Sequence, residues 1–128
     1  MAQALNPAGI RAPFGRYSHG VAVQAGRMVF CSGQLGVGPE EQVPDTVAEQ
    51  AEVCFRNIAA ILAEAGLSLA DVVRINAFVT RREHMVDYMA VRDRFIGNPP
   101  PASTLVIVAG FTRPEFLVEV EATAVGAP

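Results

Sequence analysis

Apolar residues recur along this chain at two spacings, and the change from one to the other divides it into strands and helices. After His19, Val21 and Val23 alternate with Gly20, Ala22 and Gln24, a period of two that predicts a strand. Residues 27–32 are its expected hairpin partner, with Ala25-Gly26 as the tight turn. Val47, Ala51, Cys54, Ile58, Ile61, Leu62 and Ala65 then fall at steps of three and four, one stripe of a helix. Thr46 and Glu49 would open that helix as a capping-box pair, and Gly66 would close it. Alternation returns over 71–80, with Val73, Ile75, Ala77 and Val79 on one face and Arg74, Asn76, Phe78 and Thr80 on the other. A second helix is predicted from about 82 to 96, its stripe being Met85, Tyr88, Met89, Arg92 and Phe95. Gly97 and the rigid Asn98-Pro99-Pro100-Pro101 end it. Two strands follow. Residues 103–109 are apolar on both faces around Leu105-Val106-Ile107-Val108, which suggests a central or interface strand with neither face wet. Over 116–125, Val118, Val120, Ala122 and Ala124 face one way, and Leu117, Glu119, Glu121 and Thr123 the other.

The order β-β-α-β-α-β-β, with an expected hairpin at each end, predicts an α+β fold with two helices on one face of a sheet. Residues 1–128 make one domain, and 1–15, rich in Ala, Pro and Gly, read as an irregular arm. The helices cover one side only. The other carries Phe78, Leu117 and part of the Leu105 run beside Glu119 and Glu121. Closing that face against copies of the same chain would bury the apolar part and leave carboxylates at the seams.

Composition narrows the chemistry. The chain is 51% hydrophobic and only 18% charged, which favours an oligomer over a monomer. A net charge of −3 without a basic stripe argues against nucleic acid. Arginine supplies all ten cations; without lysine there is no Schiff-base amine and no P-loop lysine. His19 and His84 lie far apart, with no third ligand at metal-like spacing, so no metal is expected. No apolar run is long enough to span a bilayer, and no signal-like start is seen. Cys31 and Cys54 read as free, buried thiols in a cytoplasmic setting.

Five segments in order carry a resemblance. They are Gly15-Arg16-Tyr17-Ser18-His19-Gly20, Cys31-Ser32-Gly33-Gln34, Ala65-Gly66-Leu67 with Leu69-Ala70-Asp71-Val72-Val73, Pro101-Ala102, and Val118–Ala124. Together they resemble the RidA/YjgF (reactive intermediate deaminase) family over nearly the whole chain. The resemblance implies a chorismate-mutase-like homotrimer with an inner β-barrel and a small-molecule cleft between subunits. It also implies hydrolysis of enamines or imines to 2-oxo acids and ammonia, without metal or cofactor.

The same resemblance assigns roles. Glu121 would position the hydrolytic water as a general base, or stand as a solvated or ion-paired acid. Tyr17, Ser32 and Gly33 would line the cleft. Deaminating members carry an arginine directly after the proline-alanine pair, where its fork grips the substrate carboxylate. Here Ser103 holds that place, and Leu105 lies two residues on. Met89 stands where many members carry asparagine. Both changes make the pocket less polar, so the expected activity is weak, altered or absent. An active 2-iminobutanoate/2-iminopropanoate deaminase and a non-catalytic trimeric interaction protein are the alternatives. Arg16, Arg74 or Arg92 is the candidate replacement for the missing cation.

Overall fold

The computed structural model describes residues 2–24 and 26–128. Its strands are β1 (Gln3–Leu5), β2 (Gly20–Ala22), β3 (Met28–Leu35), β4 (Val72–Val79), β5 (Ala102–Ile107) and β6 (Val118–Val125). The helices are α1 (Val47–Glu64) and α2 (Met85–Phe95). β3, β6, β4 and β5 form one sheet in that order. β6 is antiparallel to both of its neighbours, while β4 and β5 are parallel. The chain thus crosses through α1 and again through α2 between strands of one direction, as parallel strands require. β6 then inserts between β3 and β4.

The α1 stripe is buried at Val47, Ala51, Cys54, Ile58 and Leu62, and Phe55 joins it. Phe55 stacks on Phe95 and Tyr88 of α2, with centroids 5.3 Å and 6.2 Å apart. These side chains lie over Ile75, Ala77 and Val79 of β4 and Val118, Val120, Ala122 and Ala124 of β6. Burying each large aliphatic or aromatic group contributes about 1.5–3 kcal/mol. Glu49 N–H donates to Thr46 Oγ1 at 3.2 Å, but the return bond joins Thr46 Oγ1 to Glu49 Oε1 rather than to the cap backbone. A capping box with both halves forms instead at Ser68 and Asp71. Gly66 takes φ +75°, and Leu67 N–H reaches Leu62 O at 2.9 Å, closing α1 as a Schellman turn.

Several expectations are corrected. β2 pairs with β1, not β3, so part of the expected irregular arm is a strand. The expected turn falls partly on Ala25, outside the described residues. β5 pairs with β4 and makes no closing hairpin with β6. It is an edge strand, not a central one, and Val106 and Ile107 are 40% and 44% exposed. Val73 does not share the face of Ile75, because a register shift between Val72 and Arg74 turns Val72 into the core instead. The second helix starts as a 3-10 turn (Arg82–His84) before α2. Leu105 pairs beside buried Ala77 and so faces the helices, leaving Thr104 and Val106 for the open face. Among the described residues, no helix is long and apolar enough to cross a membrane.

Candidate active site

Glu121 sits on the open face of β6. Its register partner on β4 is Asn76, whose Nδ2 donates to Glu121 Oε1 at 2.9 Å. That bond is made across the strand pair, where facing side chains are about 4.5–5.5 Å apart at Cβ. Next to this pair on the same face are Arg74 and Thr123, also in register. With Phe30 on β3, these groups line an open cavity of about 170 Å³. Phe30 is 72% exposed, so it walls the cavity rather than filling the core. Arg74 leans toward β5, where its Nη2 donates to Thr104 Oγ1 at 2.8 Å.

Ser32 and Gly33 lie on β3 beside this cavity, at the register shift between Cys31 and Gln34. A Cβ on Gly33 would stand 2.7 Å from the Glu119 carboxylate carbon and from its Oε2. Any larger residue there would push the Glu119 carboxylate from its place over the bulge. Cys31 and Cys54 are free and buried. Cys54 Sγ donates to Gln34 O at 3.1 Å, and burial pushes its thiol up to about 12.

The remaining site residues gather elsewhere. Ser18 forms an isolated bridge with Ala102, its N–H donates to Pro101 O at 3.0 Å, and its Oγ donates to Pro100 O at 2.5 Å. This zips the Tyr17 segment along the start of β5. Tyr17 OH accepts from Phe14 N–H at 3.1 Å, and its ring meets His19 edge-on. Ser103 follows on β5, half-buried and paired with Ile75 on the helix-facing side. Leu105 and Met89 of α2 both pack against the core on that side.

The seven residues thus form two groups. Ser32, Gly33 and Glu121 belong to β3 and β6; Tyr17, Ser103, Leu105 and Met89 belong to the β5 edge. β3 and β5 are the opposite edges of a four-stranded sheet, three interstrand steps or roughly 14 Å apart. Ser32 and Gly33 on β3 therefore do not meet Ser103 and Leu105 on β5 within one chain, and Glu121 on β6 stands two interstrand steps from them.

The three candidate guanidiniums differ sharply. Arg16 donates to Asp93 O, Gly97 O and Asn98 Oδ1 at 2.9–3.1 Å and ties the N-terminal segment to the end of α2. Arg92 is 3% exposed and paired at 3.0 Å with Asp93. Arg74 lines the cavity that holds Glu121. Asn76 and Phe30 were not singled out from sequence. The alternation over 71–80 placed Asn76 on the polar face, but nothing local indicated that β6 would lie opposite.

Comparison with known proteins gives a consistent picture. The family described as "Endoribonuclease L-PSP" matches residues 9–126. The chain is 38% identical over 113 residues to Protein DfrA of Myxococcus xanthus, covering 87% of this chain and 86% of that one. It is 34% identical over 118 residues to a 2-iminobutanoate/2-iminopropanoate deaminase of Dermatophagoides farinae, with 88% of each covered. The crystal structure of RidA from the Antarctic bacterium Psychrobacter sp. PAMC 21119 superposes with a TM-score of 0.73 at 35% identity, over 96% of this chain and 98% of that one.

Proposed function

Because the chain belongs to the endoribonuclease L-PSP family, the RidA/YjgF group of reactive intermediate deaminases, we propose that it hydrolyses small imines or enamines and recognises the substrate carboxylate differently from its deaminating relatives. The observation that carries this reading is the split of the site residues between the β5 edge of the sheet and its β3–β6 side. Edges that cannot meet within a chain can meet between chains. The β5 edge of one copy, with Tyr17, Ser103, Leu105 and Met89, would face the β3 side of another, with Ser32, Gly33 and Glu121. A homotrimer closes such a contact on itself, since each copy offers both edges.

The chemistry needs few groups. An enamine first tautomerises to its imine. Glu121, held by Asn76, orients a water and takes its proton as the oxygen adds to the imine carbon. The carbinolamine forms as Glu121 hands that proton to nitrogen, and it collapses as the hydroxyl proton passes by the same route: the C=O forms, the C–N bond breaks, and ammonia leaves with a 2-oxo product. One water is consumed per ammonia. No metal or cofactor is used. Ser103 offers one neutral hydrogen bond where the family's arginine offers a charged fork. A hydrogen bond to a charged group contributes roughly 1.5–3 kcal/mol, so turnover of 2-imino acids is expected to be about ten- to a hundredfold weaker than with that arginine.

The test is ammonia release from 2-iminobutanoate formed in situ, compared between the native chain and Ser103→Arg. We expect weak turnover that rises at least tenfold in the variant. Unchanged or lower activity in a correctly folded Ser103→Arg protein would overturn the assignment of position 103 to the cleft.

A further inference from the structure

We propose that Arg74 is the group that takes the carboxylate of a small 2-oxo or 2-imino acid, within the open-face cavity that also holds Glu121. The inference rests on the imine-hydrolase reading and deepens it. The anion-binding role has moved from the helix-facing side of β5 to the open face of β4.

Four observations converge. First, Arg74, Asn76, Glu121 and Thr123 form a two-by-two patch, with Arg74 opposite Thr123 and Asn76 opposite Glu121. Arg74 and Glu121 are therefore diagonal, about 7–8 Å apart in such a ladder. Second, the two charges do not neutralise each other. Asn76 holds Glu121, and Thr104 draws Arg74 to the other side. Among the described residues no carboxylate lies within 4.0 Å of the Arg74 guanidinium, although six other ion contacts are formed. Third, the gap between them has a useful size. The cavity measures about 170 Å³, and an apolar void of about 150 Å³ admits benzene, a molecule of six heavy atoms. A 2-oxo acid of three or four carbons has a similar bulk. Fourth, the competing guanidiniums are spoken for. Arg16 serves three acceptors at the end of α2, and Arg92 is buried against Asp93.

The arrangement also fixes an orientation. An anionic ligand is repelled by Glu121 and attracted by Arg74, so its carboxylate turns to the guanidinium. Its 2-carbon then points toward the carboxylate that would hold water. Phe30 gives the alkyl end an apolar wall. A guanidinium meets a carboxylate with two parallel hydrogen bonds, which a lysine ammonium cannot reproduce.

The experiment titrates 2-oxobutanoate, a stable product, into the native protein, Arg74→Gln and Arg74→Lys. Butanone, which lacks the carboxylate, is titrated alongside, and circular dichroism checks the fold of each variant. We expect the dissociation constant for 2-oxobutanoate to rise at least tenfold in Arg74→Gln and less in Arg74→Lys. Butanone should be indifferent to both. Native-like binding by folded Arg74→Gln, or no binding of 2-oxobutanoate by the native protein, overturns the inference. Ammonia release is scored separately. Turnover without Arg74-dependent binding sinks this inference alone, and Arg74-dependent binding without turnover sinks only the hydrolase reading.

Discussion

Replacing Gln50 with leucine removes a three-way clamp from the interior while nearly preserving side-chain volume. Gln50 is fully buried on α1. Its Nε2 donates to Pro44 O at 2.9 Å and to Glu115 O at 2.8 Å, and its Oε1 accepts Leu117 N–H at 2.9 Å. The substitution orphans two carbonyls and one N–H. A buried group that loses its partner costs about 1–3 kcal/mol. The carbonyls flank exposed loop positions and can be rehydrated, so each falls near the low end of that range, and the N–H falls near the middle. The sum is about 4 kcal/mol, a large part of the roughly 5–15 kcal/mol that stabilises a domain. For a domain of this size, that lowers Tm by about 10–20 °C. Urea unfolding at one fixed protein concentration measures it, since association would otherwise shift the midpoint. The clamp also sets the lead-in to β6, so activity should fall in step with the loss of order around Glu119 and Glu121. A loss below about 1 kcal/mol would refute the reasoning, because it would mean that the three bonds add nothing that water cannot supply.

The other predictions are simpler. Glu121→Gln keeps a hydrogen bond to Asn76 but loses the base, so ammonia release should fall by about 10²–10⁴ with little change in the unfolding midpoint. Retention of activity within threefold would remove Glu121 from the chemistry. Tyr88→Phe deletes a hydroxyl that is buried without a partner among the described residues, so stability should be unchanged or rise by up to about 1 kcal/mol; a marked loss would reveal an unrecognised acceptor. Burial raises the Cys54 thiol from 9.0 to about 12 and also raises Cys31 and Tyr88. The unfolded chain therefore loses these protons first. Their contribution is intact below about pH 9 and is lost as pH climbs toward 12, at about 1.4 kcal/mol per pH unit for each proton held. Because the chain has no lysine, urea midpoints between pH 8 and 10.5 should report this directly, and Cys54→Ala should flatten the slope by one proton.

Local signals were legible wherever one residue could report its own surroundings. The α1 stripe, the Gly66 stop and the alternation of β6 all follow from spacing, because each element presents one face to a single core. Partners were not legible. Strand pairing at 27–32 and 102–107 depends on where distant segments come to rest, and adjacency in sequence wrongly favoured hairpins at both ends. The strand–helix–strand order around α2 is itself the mark of a parallel crossover, and it outweighed the short 107–118 connection. Gln50 was visible as a polar residue one turn after Val47 on the apolar stripe, yet its three partners come from two loops. The Val72 bulge, which moves Val73 off the core face, leaves no trace in composition. At the site, Glu121 and Gly33 were marked from sequence, while Asn76 and the pocket geometry of Arg74 needed the β4–β6 register.

The bond from Ser18 to Pro100 spans 82 residues, and this separation bears on synthesis. A ribosome makes the Tyr17 segment first, and its docking strip at 100–102 follows only 82 residues later. Until then Tyr17 and Ser18 have no β5 edge to zip onto, whatever the state of α1 and β4, although β1 and β2 can already pair. Docking of the Tyr17 segment therefore waits for the 100–102 strip, and the order of synthesis places it after the formation of α1 and β4.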